Sequence, residues 1–142
     1  MKPAGWLKLR EREFAVKRAY VIRSVATWWL EVECDRAEFD GEWWEPRLYH
    51  HGLQLAAEAS SDLPGIFTSW DDAHARNYPH PEIGALYVFG HHLVREGKIQ
   101  FSQIPSGGLS MNWRGTSDVL WDNEFGENVP FECETRVEAR EE

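Results

Sequence analysis

The sequence predicts a mainly β, antiparallel domain, a β-sandwich or partly closed barrel of seven to eight strands with one short helix, and three features carry that expectation. The first is alternation near the end of the chain. In Val129-Pro130-Phe131-Glu132-Cys133-Glu134-Thr135-Arg136-Val137-Glu138, Val129, Phe131, Cys133 and Val137 share one face, and Glu132, Glu134, Arg136 and Glu138 share the other. The second is the same period in two further segments. Leu109, Met111 and Trp113 oppose Ser110, Asn112 and Arg114, while Trp28, Leu30, Val32 and Cys34 oppose Trp29, Glu31, Glu33 and Asp35. The third is the glycine-bearing turn chemistry between apolar runs, at Arg95-Glu96-Gly97-Lys98, Pro105-Ser106-Gly107-Gly108 and Gly126-Glu127-Asn128.

In chain order, strands are expected at 6–10, 13–23, 26–34 and 45–57, with 36–42 as a polar loop. Residues 11–20 also read as a helix. The segment 59–83 carries Pro64, Gly65, Pro79 and Pro81 and is too broken for a strand. Within it Ser69-Trp70-Asp71-Asp72-Ala73-His74-Ala75-Arg76 looks like a helix start, with Ser69 as cap and the acids at the positive end of the dipole. An antiparallel meander follows, with strands at 85–94, 98–104, 109–119 and 129–137 joined by the three turns. One register buries both apolar sets of the last two strands. Trp113, Phe131 and Cys133 are therefore expected in the core, and Asn112, Arg114, Glu132 and Glu134 outside it.

At 142 residues the chain is read as a single domain, 1–142, with 42% apolar and 27% charged residues. Its net charge of −9 disfavours nucleic acid as a partner, because an acidic surface repels phosphate backbones. The charge is uneven: residues 1–23 hold seven basic and two acidic side chains, and residues 118–142 hold nine acids against two arginines. Laying the basic first strands beside the acidic last one would cancel much of the asymmetry. No run approaches the length of a membrane span or a signal peptide, so a soluble cytoplasmic protein without a membrane role is expected. Cys34 and Cys133 form no CxxC pair and read as small buried thiols.

Six histidines are the first resource for chemistry. Adjacent strand residues point to opposite faces, so His50-His51 and His91-His92 each offer one imidazole to a shared cavity. A metal site would then be built from His51, His92 and the linking-segment His74 or His80. A structural role for the histidines is the favoured reading, and no cofactor is expected. Asp118, Asp122, Glu124 and Glu127 crowd the loop before the last strand but lack the order of a calcium loop. No serine stands in a nucleophile elbow, and no glycine loop cradles phosphate.

Tryptophan is the unusual residue, with eight in the chain and doublets at Trp28-Trp29 and Trp43-Trp44. On a strand Trp29 must face away from the core, where either a covering layer from 59–83 or a partner meets it; cover is the favoured reading. Trp43 and Trp44 follow Asp40-Gly41-Glu42 at a loop tip, suited to stacking on a sugar or a partner side chain. The expected function is a non-catalytic protein-interaction domain, inhibitor- or immunity-like in its charge and suited to a basic partner. It would act through Trp29, Trp43, Trp44, Asp118, Asp122, Glu124 and Glu127. A metal-dependent β-barrel enzyme using the histidines and a sugar-binding module using exposed tryptophan are the alternatives. The sequence does not specify an oligomeric state.

Overall fold

The computed structural model describes residues 5–24, 27–39, 41–70, 85–87, 91–117 and 129–140. Among these the strands are β1 (Gly5–Leu9), β2 (Arg12–Ser24), β3 (Thr27–Cys34), β4 (Ala37–Phe39), β5 (Glu42–Trp44), β6 (Arg47–Leu53), β7 (Phe67–Trp70), β8 (Ala85–Tyr87), β9 (His91–Gln103), β10 (Leu109–Ser117) and β11 (Val129–Arg140). The large sheet runs β10-β11-β1-β2-β3-β6-β8-β9, and a further β9–β10 pairing brings its ends together. Eight strands thus form a ring of hydrogen-bonded neighbours. β7 pairs with β9 beyond the short β8, and β4 and β5 form a separate hairpin. Among the described residues no helix is long and apolar enough to cross a membrane.

Alternation places the core. Trp28, Leu30, Val32 and Cys34 of β3 are buried, as are Leu109, Met111 and Trp113 of β10 and Val129, Phe131, Cys133 and Val137 of β11. The expected register holds: Trp113 lies opposite Cys133 and Arg114 opposite Glu132. Trp113 and Phe131 meet edge to face at 6.3 Å, and Trp70 meets Trp113 the same way at 6.2 Å. An eight-stranded ring is just wide enough to be filled by side chains. Trp113, Phe101, Leu7, Leu30, Leu48 and Leu86 fill it here.

The charge asymmetry is resolved by pairing. β1 lies against β11 with Lys8 opposite Glu132, and beyond the end of β1 the strands β2 and β11 meet directly. There Arg140 sits over the Tyr20 ring at 4.0 Å.

Several local expectations need correction. The turn placed at 95–98 does not exist, because β9 runs straight through it. The chain reverses earlier: β8 pairs antiparallel with the start of β9, Leu86 opposite His92 and Tyr87 opposite His91, so the predicted strand at 85–94 is two strands. Gly97 is needed for space. A Cβ there would lie 2.3 Å from the Trp70 ring, which packs over it. The helix start at Ser69 is also overturned, since Ser69 is extended and pairs with Lys98; residues 71–76 lie outside those described. Among the described residues the one helical turn is the 3-10 turn Ser60–Asp62, where the Asp62 carboxylate accepts the backbone N–H groups of Glu58 and Ala59. The helix alternative for 11–20 fails to β2, the strand at 45–57 ends at Leu53, and the polar loop at 36–42 becomes the β4–β5 hairpin. The turn at 105–108 is as predicted. Gly107 and Gly108 both take positive φ, and Gly107 N–H donates to Ile104 O at 2.8 Å.

Both cysteines are free and buried. Burial pushes the Cys34 thiol from its ordinary 9.0 up to about 12 and raises that of Cys133 as well. The folded state therefore holds these protons more tightly than the unfolded chain. Stability from this source is intact below pH 9 and is lost as pH climbs from about 9 towards 12. A thiol-reactive dye at pH 8 is expected to label neither cysteine until denaturant unfolds the protein. Fast labelling of the native protein would contradict the inward placement.

Candidate functional site

The outer faces of β3 and β6 carry the most elaborate arrangement of polar and aromatic groups. Glu31 points outward on β3, opposite Tyr49 on β6 and Tyr20 on β2. Alternation would leave such a carboxylate in water. Instead Glu31 is 5% exposed, because these flanking aromatics and two β6 neighbours close over it. A buried carboxylate must be paired. Arg47 Nη2 donates to Oε1 at 2.7 Å and to Oε2 at 2.8 Å, and His51 Nε2–H donates to Oε1 at 2.6 Å.

These three residues hold the aromatics in place. Trp29 lies on the bulge between Trp28 and Leu30 in the β3–β6 pairing. Its ring stacks on His51 at 4.5 Å with planes 16° apart. Tyr49 packs against His51 at 4.7 Å and beneath the Arg47 guanidinium at 4.9 Å. Burial raises the Tyr49 and Tyr20 phenols above their ordinary value, so both remain neutral near pH 7. Arg18 adds an exposed pair with Glu33 at 2.6 Å.

Arg47 also borders a neighbouring hollow of about 450 Å³ that contains the predicted tryptophan doublet. The β4–β5 hairpin separates its two members. Trp43 stands 57% exposed with the Arg36 guanidinium 5.1 Å above its ring. Trp44 packs against the core and leans on Tyr87 at 6.0 Å, so it anchors the hairpin. Trp29 is 42% exposed; the covering layer favoured by the sequence does not bury it.

The predicted histidine site comes out differently. His50 is the inward member of its doublet, 4% exposed and edge-on to Trp70 at 5.3 Å. Its Nδ1 accepts the Gly52 backbone N–H at 3.2 Å. His51 lies outside the ring, spent on Glu31 and Trp29. His74 and His80 lie outside the described residues, as does the side chain of His92, whose backbone belongs to β9. Among the described residues no three of His, Cys, Asp and Glu gather to hold a metal ion. Asp118, Asp122, Glu124 and Glu127 also fall outside the described residues.

A carboxylate that orients a histidine is two-thirds of a nucleophilic triad. Among the described residues, however, His51 has no hydroxyl or thiol bonded to it, and both Glu31 oxygens are occupied by donors. The arrangement is chemically suited to presenting a rigid aromatic surface. Sequence reasoning missed Glu31, Arg47 and Tyr49 as members of this face; the available signal was the pair Tyr49 and His51, two residues apart and so on one face of a strand. Comparison with known proteins returned no matching family model, no matching curated protein and no matching solved structure.

Proposed function

We propose that this chain is a non-catalytic interaction domain that recognises a protein partner through the outer face of β3, β6 and the β4–β5 hairpin. The carrying observation is Trp29, an exposed indole fixed from below by His51, Glu31 and Arg47. Interface anchors are typically Trp, Tyr and Arg side chains whose conformations are already restricted, because less entropy is then lost on binding. Trp29, Trp43 and Arg47 supply that set, with buried Tyr49 packed beneath Arg47. The net charge of −9 favours a basic partner in the cytoplasm by speeding encounter.

The test is a pull-down from native cell extract with wild-type protein and the Trp29→Ala/Trp43→Ala pair, at low and physiological salt. A protein retained by the wild type should be lost from the variant, with each anchor contributing about 2 kcal/mol or more. Salt should slow association without removing the aromatic dependence. Identical captured sets for both proteins would overturn the reading. Retention of an oligosaccharide that depends on Trp43 would replace it with the sugar-binding one.

A further inference from the structure

A second groove, of about 870 Å³, opens where β1, β9, β10 and β11 meet the end of β7. Trp70, Phe131 and the bare backbone of Gly97 and Gly115 contribute to its lining, the two glycines facing each other across the β9–β10 pair. Four cationic side chains line it, Lys8, Arg10, Lys98 and Arg114, against two carboxylates, Glu96 and Glu132. That is a local excess of positive charge on a protein whose net charge is −9.

The cations are ordered by register. Lys98 lies opposite Arg114, Arg114 opposite Glu132, and Glu132 opposite Lys8. Like charges directly opposite in an antiparallel pair destabilise it. The one acid in this row, Glu132, accepts Asn112 Nδ2 at 2.8 Å and leaves two cations, Lys98 and Arg114, facing each other. Among the described residues Lys8, Lys98 and Arg114 form no ion pair within 4.0 Å. Arg10, which takes positive φ of 55° at the β1–β2 turn, also borders the groove.

We propose that this groove binds a small organic anion with an apolar body, a fatty or aryl carboxylate. Its head would lie between Lys98 and Arg114 and its body along the Trp70 ring, which covers Gly97. Charge complementarity selects the head, because an anion between two facing cations relieves their repulsion and gains charge-assisted hydrogen bonds. The volume falls in the range of about 300–1,000 Å³ usual for small-molecule sites. This site is separate from the Trp29 face, and neither proposal depends on the other.

Binding is measured on the full chain with anilinonaphthalene sulfonate as the fluorescent probe, displaced by dodecanoate, dodecanol or inorganic phosphate. Dodecanoate should displace the probe well, and the other two poorly. Lys98→Gln/Arg114→Gln should weaken dodecanoate binding about tenfold or more at a melting temperature that is unchanged or slightly raised, since both side chains are exposed and their mutual repulsion is removed. Glu132→Gln should strengthen it by removing the competing acid. Failure of dodecanoate to bind, equal displacement by dodecanol or phosphate, or unchanged affinity in the double variant would each overturn the proposal.

Discussion

Trp113→Ala is expected to cost about 3–5 kcal/mol of folding stability, a loss at the top of the range for a single core residue. The indole is fully buried at the centre of an aromatic row in which Trp70 and Phe131 meet it edge to face. Truncation removes both contacts and leaves a cavity that the ring of strands cannot close, because each neighbouring strand is hydrogen-bonded on both sides. The polar part of the side chain contributes nothing comparable, as the buried Nε1 has no hydrogen-bond partner among the described residues. Trp113→Phe, which keeps an apolar ring and deletes an unsatisfied N–H, should therefore lose much less than Trp113→Ala. Arg114→Ala on the opposite face should stay within about 0.5 kcal/mol. Denaturant unfolding of the three variants checks the order. A smaller loss for Trp113→Ala than for Arg114→Ala would invert the assigned faces.

That experiment tests the part of the fold that was legible in the sequence. Alternation in 28–35, 109–114 and 129–138 gave both the strands and their inward faces, because a half-buried strand imprints its environment on successive residues. The charge division between the two ends likewise anticipated Lys8 beside Glu132. What stayed hidden depended on contacts between residues distant in sequence. Nothing local reveals that β9 and β10 complete the ring, or that Glu31 is enclosed by Tyr20 and Tyr49 from neighbouring strands. An acid at every second position reads as solvent-facing whether or not something covers it. Trp29 was legible as outward, yet its support by His51 and Glu31 required knowing that β3 pairs with β6. Ser69 followed by two acids resembles a helix start by local chemistry, but pairing with β9 holds it extended.

Gly97 is the clearest example of a residue whose local meaning was misleading, and Gly97→Ala with Gly115→Ala forms the second large prediction. Strand interiors ordinarily favour alanine over glycine by roughly 0.5–1 kcal/mol, so a simple propensity argument expects both substitutions to stabilise. Both should destabilise instead. A Cβ on Gly97 would lie 2.3 Å from Trp70, whose ring is held by its Nε1–H donating to Val94 O at 3.2 Å and by the edge contacts with His50 and Trp113. A Cβ on Gly115 would lie 1.9 Å from the backbone oxygen of Glu96, which moves only if β9 moves. Overpacking of this kind costs about 1–3 kcal/mol, and Gly115→Ala should stand at the upper end because its obstacle is backbone. Thermodynamic coupling distinguishes the two clashes. In a Trp70→Leu background the penalty of Gly97→Ala should shrink sharply, whereas that of Gly115→Ala should persist. Alanine at 97 that leaves stability unchanged or raised in the wild-type background would mean that Trp70 does not pack over this position, and the close approach of β7 to β9 would have to be redrawn.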